Sequence, residues 1–340
     1  MSKKHLDIFD KRLSYCIKGI ALLMMLFHHC FSFPEYWLDL PQIPSVLIKL
    51  GSFNKICVAI FAFLSGYGFY VNGDFNYRTT IKKALKFMAK YWFQLFVVFL
   101  PIACIGYQFS PIKILYNAFA LFDNIIVFAW YVLFYLIVLL TFPFFKRLLK
   151  GKWWTDLLTV IGGGYLLVIV LYFSPRENSV ILSALMDCAI YYPVVGVGYL
   201  FAKYDIFAII TKYIKHTVPA AVVVFAVVFL LRSKVSVIKG FTLDAVYAPM
   251  IILAFWWLLR ALENAHVNRV LSWIGKMSFS AWLFHSIFFS AYTSQVVQPF
   301  VNWSPYILIR FLLVTIISLL ASFIIEQIYC LAAMVLKKEK

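Results

Sequence analysis

Ten runs of mostly apolar residues, each near the length that crosses a bilayer, leave this sequence few ways to fold. They fall near residues 13–33, 52–72, 89–107, 125–145, 155–173, 180–201, 215–231, 242–259, 271–292 and 306–334. A helix rises about 1.5 Å per residue, so about 20 residues cross a hydrocarbon core roughly 30 Å thick. Inside lipid every backbone N–H and C=O must be satisfied within the chain, which makes such runs helices. Only 13% of the residues are charged, against about 25% in a typical soluble domain. A chain this poor in charge must turn most of its exterior to lipid. The expectation is an all-α, polytopic integral membrane protein with about ten transmembrane helices. It should be multi-pass in the cell membrane, with residues 1–340 forming a single membrane-embedded domain, because no connecting segment is long enough to fold separately.

The chain carries 31 Lys and Arg against 14 Asp and Glu, a net charge of +17. In a soluble protein such an excess would point to nucleic acid. Here the basic residues instead cluster on alternate connections. Lys3, Lys4, Lys11, Arg12 and Lys18 precede or open the first run, and later clusters occupy 78–90, 146–152, 203–215, 260–276 and 337–340. The remaining connections hold only Lys49, Lys55, Lys113, Arg176, Arg232, Lys234, Lys239 and Arg310. By the positive-inside rule both termini are cytoplasmic, and no nucleic-acid partner is implied. The first run lacks a small-residue cleavage site, so it is expected to be a retained helix and not a removed signal peptide. Six cysteines without a C-x-x-C pair argue against a disulfide framework or a zinc site. The longest connections, 34–51 and 106–124, are expected on the outer side; the second contains SPIKILYNAFALF, whose apolar spacing suits a short interfacial helix.

Ionisable residues inside apolar spans are costly, which marks Lys18, His28, His29, Asp187, His285 and Glu326 as functional candidates. Ten residues lie between Lys18 and His29, an offset of eleven steps along the helix. At about 100° per residue they come within about 20° of one helix face, about 16 Å apart along the axis. A cation at one mouth could hold a phosphate-bearing acyl donor while the imidazole works deeper as a general base. The same spacing also fits a snorkelling interface lysine above a buried, hydrogen-bonded histidine. His28 is rotated about 80° from the Lys18 face and is expected either to pack or to support the site from behind its contacting residues. Adjacent residues such as His28, His29 and Cys30 point in different directions, so no metal is expected. Asp187 could pair with a neighbouring helix, and Glu326 could pair with a lysine or face a cavity. Trp130 and Tyr131 suit packing or the interface better than substrate stacking.

Several segments, in order along the chain, resemble the acyltransferase-3 family of integral membrane acyltransferases. Lys18-x10-His29 is similar to the family's [R/K]-x10-H motif in the first helix. The run from Cys57 to Ser65-Gly66-Tyr67 resembles an apolar second helix closing on Ser-Gly-aromatic. Lys82-Lys83-x-x-Lys86 through Lys90-Tyr91-Trp92 resembles a basic inner loop entering an aromatic helix start, and Trp130-Tyr131-Val-Leu resembles a Trp-aromatic-Leu segment. Tyr192-Pro193 through Gly196, Gly198 and Lys203 is similar to the segment before a cytoplasmic lysine. Trp273-Ile-Gly275-Lys276-Met-Ser278 resembles the closing Gly-Lys-x-Ser motif, followed by His285.

The resemblance implies an enzyme that takes acetyl or a related acyl group from acyl-CoA and modifies hydroxyls of extracytoplasmic or cell-surface glycans. It implies that Lys18 contacts the donor, that His29 is the base or the acyl-transfer residue, and that Ser65 and Gly66 shape the site. It implies an auxiliary polar role for His285, with His28 beside the site and no metal. Lysine stands where the family often has arginine, and it can hold a phosphate only as a point charge. The sequence ends after its last apolar run, so handover to the acceptor is expected within the membrane domain or through a separate partner. The competing reading is a transporter or export component for a glycan or lipid-linked sugar, with the same charged residues lining a passage.

Overall fold

A computed structural model describes residues 9–37, 39–40, 43–73, 76–121, 125–173, 180–214, 217–235, 237–238, 241–262 and 265–338. Lys3, Lys4, Arg176, Lys215, Lys239 and Lys340, named above among the charged residues, lie outside them. The helices are α1 (Lys11–Phe31), α2 (Ser45–Asn54), α3 (Cys57–Val71), α4 (Tyr77–Phe93), and, after a π-helical stretch at Gln94–Phe99, α5 (Leu100–Ala103). Next come α6 (Pro111–Ala118), α7 (Trp130–Leu148), α8 (Trp153–Phe173), α9 (Val180–Lys203), α10 (Ile206–Tyr213) and α11 (Val218–Lys234). The chain closes with α12 (Asp244–Leu262), α13 (Ala265–Lys276), α14 (Ser278–His285), α15 (Ser294–Val297), α16 (Pro299–Asn302) and α17 (Ile307–Lys338). A two-residue antiparallel hairpin, Val237–Ile238 with Phe241–Thr242, is a small addition to an all-α fold.

Among the described residues, eight helical segments are long and apolar enough to cross a membrane. The number is nine if α10 and α11, bent by 119° at their junction, make one span. The chain is therefore a multi-pass membrane protein. The structure departs from ten uniform spans where the local sequence is least uniform. The run at 271–292 is divided between α13, a break at Met277, α14 and a 3-10 turn at Ser286–Phe288. The first of these pieces, α13, is amphipathic and buries only Ser272, Ile274 and Gly275. The basic segment 78–90, expected as a loop, is helical: Asn76 and Thr79 form a capping box, and Arg78, Lys82, Lys83 and Lys86 lie on the exposed face of α4. The short helix expected within 106–124 forms as α6, capped by Ser110, whose side chain accepts from the Lys113 N–H.

The first helix is central. Asp10 caps it by accepting from the Leu13 N–H at 2.6 Å, and Ile17, Ala21, Leu22 and Leu26 are fully buried. It packs against α2, α3, α13, α14 and α17. Lipid gives no hydrophobic drive for helix association, so close approach through small residues supplies the contact. Two reciprocal glycine pairs do this. A Cβ on Gly19 would strike the Leu271 carbonyl oxygen and one on Gly275 the Tyr15 carbonyl oxygen, which fixes α1 against α13. Gly66 and Gly198 stand in the same relation to the carbonyls of Val195 and Phe63, which fixes α3 against α9.

Charged pairs tie distant segments. Lys90 meets Glu326 at 2.6 Å, joining α4 to α17, and Lys203 of α9 pairs with Asp156 of α8. Arg232 donates from Nε and Nη2, one edge of its guanidinium, to the two carboxylate oxygens of Asp244 at 2.7 and 3.0 Å, and from Nη1 to the carbonyls of Ser52 and Phe53. Buried Arg310 binds Asp39 at 2.6 Å, and that hydrogen bond holds the Asp39 carboxyl below its ordinary range. Breaking the buried Arg232–Asp244 pair from one side would leave an uncompensated charge.

The α3–α9 crossing gives a paired test on one helix. Gly66→Ala forces its methyl into the Val195 backbone, and overpacking typically costs about 1–3 kcal/mol. Gly68 has only the Asn72 side-chain nitrogen near its added Cβ, at 3.8 Å. Gly68→Ala should therefore leave the thermal midpoint of the purified protein unchanged or slightly raised, while Gly66→Ala lowers it by several degrees. Equal midpoints in a fluorescence melt would refute the role given to Gly66.

Candidate active site

A cavity of about 460 Å³ runs beside α1, bounded also by α3, α4, α7, α9, α13, α14 and α17. Both members of the Lys18-x10-His29 pair line it, because their spacing puts them on one face of α1. It is therefore one continuous space with a cationic end and an imidazole end.

At the cationic end, Lys18, Lys90 and Lys276 converge from three helices. Lys90 is neutralised by Glu326, which also accepts from the Ser280 hydroxyl at 2.6 Å. Glu326 thus both pairs with a lysine and faces the cavity. Lys18 has no ion-pair partner among the described residues. It lies 5.6 Å from the centre of the Tyr15 ring, and Lys276 lies 5.9 Å from the same ring. The tight α1–α13 crossing at Gly19 and Gly275 brings these two ammonium groups to one aromatic ring.

At the other end, His29 Nδ1 lies 2.7 Å from His285 Nε2. His285 is fully buried, and its Nδ1 donates to the Trp282 backbone carbonyl. The His29 ring stacks on Phe128 with centroids 3.7 Å apart and planes 1° from parallel. His28 also lines the cavity; its Nδ1 lies 2.9 Å from the Gly51 carbonyl and 2.9 Å from the Ser32 hydroxyl. The 80° rotation does not remove it from the site, because the cavity at this end is wide enough to border two successive residues of α1. Beyond the histidines stand Lys55, Phe33 and Asp187.

The structure brings Lys18, His28 and His29 of α1 and Ser65 of α3 to one cavity, with the Ser65 hydroxyl donating to the Phe61 carbonyl at 2.8 Å. Gly66 lies one residue on, at the α3–α9 crossing, and serves packing. His285 stands behind His29 as its hydrogen-bond partner. Trp130 and Tyr131, expected to pack, both border the cavity. Lys276 and Lys90 sit within motifs visible in the sequence, but their convergence on Lys18 is tertiary. No local signal marks Phe128 as the platform under His29. Among the described residues no group of three or more His, Cys, Asp or Glu side chains is arranged to hold a metal ion.

A family model described as an acyltransferase domain matches residues 15–326. No curated protein and no solved structure matches the chain. The matched region begins just before Lys18 and ends at Glu326, so it takes in every cavity-lining residue described above. This chain belongs to the acyltransferase-3 family of membrane acyltransferases.

Proposed function

We propose that this protein is a membrane O-acyltransferase that moves acetyl or a related acyl group from acyl-CoA to a hydroxyl of an extracytoplasmic or cell-surface glycan. The observation that carries the reading is one cavity with a histidine at one end and, at the other, Lys18 and Lys276, neither of which has an acidic partner among the described residues. An uncompensated cation in a membrane protein is costly and calls for an anionic ligand. The diphosphate of acyl-CoA supplies one, and its thioester arm would extend along the cavity toward His29. In this reaction His29 takes the proton from the acceptor hydroxyl as that oxygen attacks the thioester carbonyl carbon. The carbon–sulfur bond breaks, and the thiolate leaves with the proton from His29, giving an ester and free coenzyme A. Ser65 borders the path between the two ends, and His28 borders the acceptor side.

The reading includes an orientation, with the termini and the Lys18 end cytoplasmic and the His29 end toward the outside. The basic faces of α4 and of 146–152 support it, since such clusters resist translocation. In a background with the exposed Cys104 and Cys330 replaced, single cysteines at Lys82 or Lys150 should stay unlabelled by an impermeant thiol reagent applied to sealed cells. Rapid labelling at either position would reverse or break the proposed topology.

Donor contact and chemistry separate in kinetics. Lys18→Ala should raise the KM for acyl-CoA roughly ten- to hundredfold with a smaller change in kcat, as expected for a lost charge-assisted hydrogen bond. Lys18→Arg should be tolerated. An unchanged KM in Lys18→Ala would leave the lysine as an interface anchor.

His29→Ala should lower the transfer rate by about 10²–10⁴ while the protein still inserts and accumulates, the range typical for a lost general base. His28→Ala should keep measurable activity. Reversed phenotypes, read by mass spectrometry of ester groups on the surface glycan, would move the base to His28. Full activity in both variants would favour the transporter reading.

A further inference from the structure

The two buried imidazoles form a chain whose proton positions are forced by its far end. A neutral imidazole has one N–H donor and one acceptor nitrogen. The Trp282 carbonyl can only accept, so the proton of His285 sits on Nδ1. His285 Nε2 is then bare and can only accept. Across the 2.7 Å contact the donor must be His29 Nδ1. The remaining nitrogen of His29, Nε2, is therefore left with its lone pair free. His29 lines the cavity, and its described hydrogen bond is made through Nδ1 alone. Phe128, stacked flat on the ring, blocks it from turning out of this plane.

We propose that His285 is a positioning residue that fixes the Nδ1-protonated tautomer of His29 and so presents Nε2 as the reacting base; this role rests on the acyltransferase reading above. The backbone carbonyl anchors His285, His285 anchors His29, and neither link needs a carboxylate. When His29 takes the hydroxyl proton on Nε2, its Nδ1–H already points at a lone pair that stabilises the imidazolium. The proton then passes from Nε2 to the departing thiolate, and the chain returns to its starting state. A histidine oriented by a neighbouring acceptor is a general device of acyl-transfer sites, in which the wrong tautomer alone costs about 10⁴ in kcat. Here the acceptor is a second imidazole in place of a carboxylate.

The test compares two replacements in the full-length protein. Glutamine can place its carbonyl oxygen near the position of His285 Nε2, whereas leucine fills the space without an acceptor. His285→Leu should lower kcat about a hundredfold or more, with the KM for acyl-CoA within about twofold of wild type. His285→Gln should recover at least about a tenth of wild-type kcat. Equal losses in the two variants, or full kcat in His285→Leu, would overturn the proposal. A second readout does not depend on turnover. Nitrogen-15 NMR of histidine-labelled wild-type protein in nanodiscs, assigned with His29→Ala, should give a protonated Nδ1 and an unprotonated Nε2 for His29 at neutral pH. A protonated Nε2 would overturn the proposal even if transfer is robust. If wild-type protein transfers no acyl group, the acyltransferase reading fails and the NMR result still decides the tautomer.

Discussion

The contact on which the candidate site depends is the crossing of α1 and α13 at Gly19 and Gly275. Each glycine faces a backbone carbonyl of the other helix with no room for a Cβ. That closeness sets Lys18 and Lys276 around Tyr15 at one end of the cavity. It also fixes where α14 begins, because one residue, Met277, separates α13 from α14. From that start α14 climbs alongside α1 and delivers His285 to His29. A wider crossing would move both ends of the cavity together. In lipid there is no hydrophobic penalty for separating helices, so steric fit at such small residues has to carry the register.

Much of this was legible in sequence and part was not, for reasons that lie in the kind of interaction involved. Apolar length located most of the spans, since backbone satisfaction in lipid is a local requirement. Helical periodicity put Lys18 and His29 on one face, and both line one cavity. Hydropathy could not see that 271–292 breaks at Met277, because α13 is amphipathic and held by α1 and not by its own apolar length. Nor could it see that 78–90 is helical, since the capping box at Asn76 begins a helix whose first turns are basic and exposed. Periodicity gave the rotation of His28 from the Lys18 face, but an angle on one helix says nothing about how wide the neighbouring space is. Partnerships such as Lys90 with Glu326, or His29 with Phe128, join residues far apart in sequence and have no local trace.

Polar side chains in this fold divide by whether their charge is answered. Arg232 with Asp244, Lys203 with Asp156, Lys90 with Glu326 and Arg310 with Asp39 are answered, and each joins two segments. A buried pair is poor evidence of net stabilisation, but it fixes relative position, because alternatives would leave a charge alone. Lys18 is different: among the described residues it has no acidic partner, and it lines the cavity beside a second lysine. On the proposed reading, the same physics that makes the paired residues structural leaves Lys18 to meet an anionic donor. That contrast does not depend on family membership and points the same way.

The choice of a second imidazole behind His29 follows from the same accounting of charge. A carboxylate in that position would raise the basicity of His29 more, but it would bring a full negative charge into a fully buried pocket lined by Phe128, Trp282 and Phe289. Desolvating an isolated carboxylate is among the largest costs a fold can meet. A neutral imidazole avoids that cost and still offers a directed lone pair. Its own orientation is fixed by a backbone carbonyl, which cannot change protonation state. A chain that starts at a main-chain acceptor therefore leaves one arrangement of protons for two neutral rings. On the proposed reading, that single arrangement is what turns a buried histidine into a base aimed at the cavity.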